Sequence, residues 1–228
     1  MKKIYIHIGN FKTASTSIQN FIFLNRNLLN KNKIQVLIEK HFNVTTNNML
    51  LFKYINQKNK KKVKSYFSNI EKNKNLLLTC EYFSTFSDDI NKLIYFKKIM
   101  HELGFKPIII FYYRFDNSYL YSFYSELLTH RKTIKIDSVF NFINKIKNNG
   151  YYNNIKNKKY YLSQKYFFNN RLIKKNWEKV FKNNFYYLRF EKNRGDSIFF
   201  NFLKIIGIKK ISDFEIPSQS NKTRKIKK

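Results

Sequence analysis

Acidic residues are scarce in this sequence: 14 Asp and Glu stand against 45 Lys and Arg, a formal net charge of +31 at pH 7. Cysteine is nearly absent too. Cys80 alone excludes an internal disulfide framework and a cysteine-based zinc site, which fits a reducing compartment. Two prolines and five glycines leave no Gly/Ser/Pro linker, so 228 residues read as one domain, long enough to bury a core without disulfides or metals. No apolar run nears the roughly 18 residues of a membrane span; Leu76 to Leu78 and Ile108 to Tyr113 are short. The N-terminal MKKIYIHIG has a short apolar run that Gly9 ends, without the longer core and small-residue cleavage site of a signal peptide. The expected location is cytoplasmic.

Arginine is the other shortage. Of the 45 basic residues 38 are Lys and 7 are Arg, whereas planar, bidentate recognition of phosphates and bases favours Arg. A basic chain attracts polyanions of any kind, but abundant Lys, Asn, Ile, Phe and Tyr beside so little Gly and Pro is what an A+T-rich coding sequence produces. Most of the charge is therefore expected on solvated faces. What the chain has in plenty is apolar area: 43% hydrophobic residues, with 24 Phe and 17 Tyr, enough to offset the entropy of ordering.

Five short β-branched or aromatic runs read as buried strands: Ile4 to Ile8, Ile34 to Ile38, Leu76 to Cys80, Ile108 to Tyr113 and Phe185 to Phe190. Helix-length segments lie between them, near Ser15 to Leu29, Met49 to Glu71, Asp88 to Leu103, Asn117 to His130, Ile136 to Lys147, Ser163 to Phe181 and Ser197 to Ile206. Strands alternating with helices predict an α/β fold, a central mostly parallel sheet flanked by helices in three layers. Ligands of such folds bind outside the carboxyl ends of the strands. Residues 1–220 are expected to form this domain, and 221–228 a basic tail without apolar anchors. The polar, aromatic stretch Asn148 to Asn170 is expected to be an insertion or a mobile lid.

The passage IYIHIGNFKTASTSIQNFI, residues 4 to 22, carries the chemistry. A strand ends at Gly9, a loop carries Lys12, and hydroxyl residues open an amphipathic helix with Ile18, Phe21 and Ile22 on one face. The unsatisfied N–H groups of a helix start and its dipole favour an anion there. Set against the nucleotide-binding P-loop, G-x-x-x-x-G-K-[ST], the passage begins at Gly9, has Ala14 for the second Gly and Ser15 for the Lys, and keeps Thr16. The metal apparatus of a phosphotransferase would also want a strand-end Asp, but Leu76 to Cys80 is followed by Glu81 and the next strand by Arg114.

Lys12-Thr13-Ala14-Ser15-Thr16-Ser17, followed by Ile18-Gln19 and preceded by Ile6-His7-Ile8-Gly9, resembles the 5′-phosphosulfate loop of sulfotransferases that use 3′-phosphoadenosine 5′-phosphosulfate (PAPS). The resemblance runs on in order through most of the chain: IIIFYYR to Arg114 and then Ser122, LLLTCEYFS at residues 76 to 84, and Trp177 through Tyr187-Leu188-Arg189-Phe190-Glu191 to Gly207. It implies a P-loop-NTPase-like fold, PAPS as co-substrate and no metal. Lys12 to Ser17 would hold the 5′-phosphosulfate, and Arg114 with Ser122 the 3′-phosphate. Ala14 departs from the usual Gly: strained if the position needs a positive φ, harmless if it lies in the helix's first turn.

Sulfuryl transfer builds charge on the oxygen bridging sulfur and phosphate, and a cation fixed there stabilises the transition state. Lys12 is the candidate. A general base must take the acceptor's proton; Glu81, just past a strand's carboxyl end, is preferred to His7, whose place between Ile6 and Ile8 suggests a satisfied core histidine. The resemblance also implies a hydroxyl acceptor, expected to be a carbohydrate or glycolipid. Two other classes compete: a P-loop nucleotide kinase, which would need the missing Lys beside Thr16 and a strand-end Asp, and a basic nucleic-acid-binding protein without enzymatic activity. A sulfotransferase-like fold that has lost activity is a further alternative, for which Ala14 is the hint.

Overall fold

The computed structural model describes residues 1–9, 15–39, 48–114, 118–129, 138–149, 151–154, 164–167, 169–190 and 195–217. Five strands form one wholly parallel sheet: β1 (Lys2–His7), β2 (Ile34–Val36), β3 (Asn75–Thr79), β4 (Phe105–Tyr113) and, last in the chain, β7 (Phe185–Arg189). Their order is β2-β3-β1-β4-β7, with β1 at the centre. Two further strands, β5 (Tyr151–Asn154) and β6 (Gln164–Phe167), pair antiparallel as a separate ribbon. The helices are α1 (Ser15–Leu24), α2 (Arg26–Lys31), α3 (Met49–Asn56), α4 (Lys60–Tyr66), α5 (Ile90–Glu102), α6 (Ser118–Thr129), α7 (Val139–Asn149), α8 (Asn170–Phe181) and α9 (Gly195–Ile205).

Alternation along each strand sends side chains to opposite faces, and both faces of this sheet are covered. Ile4, Ile6, Leu78, Ile109 and Phe111 face a layer built from α3, α4, α5 and α8. Tyr5, Leu77, Ile108, Ile110 and Tyr112 face α1, α2 and α9. That double burial is why the strands are continuous apolar runs rather than half-polar ones. The helix after β1 packs on one face and the helix after β3 on the other, although the two strands are neighbours. Chains that part in this way leave a crevice at the carboxyl ends of the strands they leave.

All five expected strands stand in the sheet, and the expected three layers are present. Two expected helices are broken. The run from Ser15 is interrupted at Asn25, whose side-chain amide donates to the Phe21 carbonyl and to the Glu215 carbonyl of the C-terminal segment, at 2.9 and 2.8 Å. The run from Met49 is interrupted around Lys58, which takes a positive φ of 52°. The helix expected from Ser163 starts only at Asn170, because Gln164–Phe167 pairs with Tyr151–Asn154 instead. That ribbon falls in the stretch expected to be an insertion or lid; residues 155–163 between its strands lie outside the described residues, as does the tail 221–228. Among the described residues no helix is long and apolar enough to cross a membrane.

Candidate functional site

Three adjacent strands, β3, β1 and β4, carry the candidate residues to the same end of the sheet. The register pairs His7 with Thr79 on one side and with Ile110 on the other, and two bonds extend it, Cys80 N–H to the His7 carbonyl at 2.9 Å and Ile8 N–H to the Ile110 carbonyl at 3.0 Å. Gly9 and Glu81 therefore leave the sheet at one level. Arg114 follows Tyr113, the last residue of the longer β4, and sits two residues farther out, roughly 7 Å at the rise of a strand. Ser15, Thr16 and Ser17 make the first turn of α1, which holds no acidic residue; Ser15 is buried, Ser17 half-buried and Thr16 exposed. Lys12, Thr13 and Ala14 lie outside the described residues.

Glu81 opens a 3-10 helix, Glu81–Asp88, with its side chain half-buried. The segment is pinned from below. Trp177 Nε1 donates to Ser87 Oγ at 2.8 Å and Asn176 Nδ2 to the Ser87 carbonyl at 2.8 Å, while Phe83 and Phe86 pack among Phe52 and Phe96. Arg114 is half-buried, with its guanidinium over the Phe190 ring at 5.5 Å and its carbonyl accepting from Asn170 Nδ2 at 2.9 Å. Ser122 is half-buried on the second turn of α6.

Beneath these residues runs a buried polar line that the sequence did not reveal. Glu39, just past β2, accepts from the N–H groups of Leu50 (2.8 and 3.0 Å) and Leu51 (3.3 Å) at the start of α3, and from the Tyr66 hydroxyl at 3.1 Å. Burial raises its pKa above the usual carboxylate value against the pull of those donors. Asn48, wholly buried, donates from Nδ2 to Tyr66 Oη at 2.7 Å and to the Leu37 carbonyl at 2.9 Å, and its Oδ1 accepts from Thr79 N–H at 2.8 Å. Its own N–H donates to the Thr79 carbonyl at 2.8 Å, so a single residue stands in for a strand beside the end of β3. Thr79 Oγ1 in turn meets His7 Nδ1 at 3.0 Å.

Against expectation, His7 is only half satisfied. Its Nδ1 has Thr79, but Nε2 has no hydrogen-bond partner among the described residues. Burial pushes the imidazole pKa down to about 3, so the ring is neutral. Burial likewise pushes the Cys80 thiol up, which makes it an inert core group. Long-range contacts such as Asn48 to Thr79 leave no period or motif in a sequence; only the pairing of polar residues just beyond two apolar runs hinted at them.

No protein-family model and no curated protein matches this sequence. Among solved structures, a sulfotransferase from Alicyclobacillus acidocaldarius is similar, with a TM-score of 0.57 at 14% identity over 97% of this chain and 86% of that one. A retinol dehydratase in complex with androsterone and inactive cofactor PAP overlaps at a TM-score of 0.40 and 11% identity, over 94% of this chain and 62% of that one, a likeness too loose to carry an inference. The parallel sheet ordered β2-β3-β1-β4-β7, its two helical layers and the likeness to the bacterial enzyme across nearly the whole chain agree: this chain has a sulfotransferase fold.

Proposed function

We propose that the chain transfers a sulfuryl group from PAPS to a hydroxyl of an acceptor, a carbohydrate or glycolipid. The observation that carries this reading is the position of Ser15, Thr16 and Ser17, the described part of the Lys12-Thr13-Ala14-Ser15-Thr16-Ser17 run: they open α1, the helix that follows the central strand of a sheet with the sulfotransferase fold. The N–H groups and hydroxyls at the start of α1 would bind the 5′-phosphate of the donor, and Arg114 with Ser122 the 3′-phosphate, Arg through its forked donors.

In this reading the acceptor oxygen attacks sulfur as the bond from sulfur to the bridging oxygen breaks. The electron pair stays on the 5′-phosphate of the departing 3′,5′-adenosine bisphosphate (PAP), where Lys12 offsets the new charge. Glu81 takes the acceptor's proton; its level with Gly9, one strand away, supports that role. The surplus of positive charge draws both anionic partners toward the crevice, a rate effect that added salt weakens.

PAP tests the reading. A ligand held at this site stabilises the fold by about 2.7 kcal/mol at a hundredfold excess over Kd and so raises the melting temperature. No shift at millimolar PAP, or a shift that survives Lys12→Ala combined with Arg114→Ala, overturns it. In turnover, Lys12→Ala is expected to lower kcat by roughly 10²–10³; a loss under about tenfold removes Lys12 from the leaving oxygen.

A further inference from the structure

The strand that leads into the loop ends in a histidine that the chemistry above does not use. His7 is 0% exposed, and its ring is boxed by Tyr112 and Phe202, with centroids 6.0 and 6.3 Å away. A buried polar nitrogen without a partner costs about 1–3 kcal/mol, so an orphan of this kind calls for an occupant. Its location names the kind. A Cβ built on Gly9 would lie 3.0 Å from His7 Nε2 and 3.2 Å from Ser15 Cβ, so no more than about 6 Å separates that nitrogen from the first residue of α1. The open nitrogen lies beside Gly9 and the start of a ten-residue helix, where N–H groups and the dipole favour an anion.

The hydrogen count fixes which nitrogen bears the proton. If Thr79 O–H donates to Nδ1, the proton is on Nε2 and one donor is left unpaired. If Nδ1–H donates to Thr79 instead, both the Thr79 hydroxyl proton and the Nε2 lone pair are left unpaired, since the Thr79 side chain has no other hydrogen-bond partner among the described residues. The first arrangement strands one group and the second strands two. An Nε2–H donor also suits an anion, whereas a lone pair would repel it.

We infer that His7 is the floor donor of an anion site at the start of α1: its Nε2–H hydrogen-bonds a phosphate oxygen of the bound nucleotide. The identity of the nucleotide rests on the sulfotransfer reading; the tautomer and the anion do not. A neutral donor suits this place, because a buried imidazolium would be costly whenever the site is empty, and burial does hold the ring neutral. The Glu39, Tyr66, Asn48 and Thr79 line fixes the ring's other nitrogen, which leaves Nε2 one direction in which to point.

Nitrogen-15 imidazole spectra of the wild-type protein test the inference directly. The free protein is expected to show His7 protonated at Nε2, and saturating PAP to move that proton's resonance and slow its exchange with water. A ring protonated at Nδ1, or an Nε2–H resonance unmoved by bound PAP, overturns it. Two variants add a second reading by calorimetry. His7→Gln puts an amide donor near the Nε2 position, and His7→Asn puts one near Nδ1 only. His7→Asn is expected to weaken PAP binding about tenfold, the equivalent of one hydrogen bond, and His7→Gln less than about threefold. Equal affinity for folded His7→Asn and wild type overturns the inference. If wild-type protein binds no PAP, the sulfotransfer reading is what fails; inorganic sulfate then serves as the probe, and an Nε2–H resonance that follows sulfate upholds the role of His7 while one that does not removes it.

Discussion

On the β3 side of the central strand, the line of contacts that reaches the end of that strand is made of hydrogen bonds, from Glu39 through Tyr66, Asn48 and Thr79 to His7. On the β4 side, beside the hydrogen bond from Asn170 to the Arg114 carbonyl, the contacts near Arg114 include stacked rings. Tyr187 lies 4.0 Å from Tyr113 and 5.7 Å from Phe111, tilted by 14° and 11°, with Lys174 over its outer face at 5.5 Å. The two flanks do different work. A hydrogen-bonded line is directional and sets where individual atoms point, so a single deletion strands its neighbours. Stacked rings hold by area and dispersion, and they tolerate the loss of one polar atom. The exacting side is the one beside the end of the central strand; the tolerant side is the one that carries Arg114.

The sharpest break of this contrast is Asn48→Ala, which strands Thr79 N–H and the Leu37 carbonyl and leaves the Tyr66 hydroxyl with Glu39 alone. A loss of about 3 kcal/mol is expected in urea unfolding; a loss under about 1 kcal/mol would mean that the line is not load sharing at all. Next comes the pH response of His7. Its pKa is about 3 when folded and 6.5 as its ordinary value, so the unfolded chain takes up a proton below 6.5 that the folded chain refuses. Stability from this ring is full above 6.5 and falls as the pH drops toward 3, by up to about 1.4 kcal/mol per unit. Between pH 8 and pH 5, wild type should lose about 2 kcal/mol relative to His7→Gln, read by urea unfolding at both values; parallel losses would place the ring in contact with water. The smallest effect belongs to the tolerant flank. Tyr187→Phe keeps the stack and removes a hydroxyl that reaches the Asn170 carbonyl only at 3.5 Å, so a change within about 0.5 kcal/mol is expected; a larger one would show that flank to be directional as well.

The sheet was legible because a strand buried on both faces must be apolar throughout, and each such run here is short and ends in polar residues. Glu81 and Arg114 were legible for the same reason, as the first polar residues past Cys80 and Tyr113. What the sequence hid has physical causes. The break at Lys58 needs a positive φ that no glycine announces, and the apolar spacing continues across it from Ile55 to Val63. The Gln164–Phe167 strand exists only through its partner across the ribbon. Asn48 and Glu39 acquire their roles from contacts 31 and 11 positions away, and alternation alone made His7 a core residue without telling which of its nitrogens lacked a partner.

Gly9 has one more consequence. Its backbone does not take a positive φ, so the residue is small for want of room and not for conformational freedom: the space a methyl would fill is bounded by the His7 ring at 3.0 Å and Ser15 at 3.2 Å. That ring cannot retreat without disturbing Thr79, Tyr112 and Phe202. Positions 7 and 9 are thus thermodynamically linked, and the effects of changing both should not add. A larger residue at position 9 is expected to cost less once the imidazole at position 7 is gone.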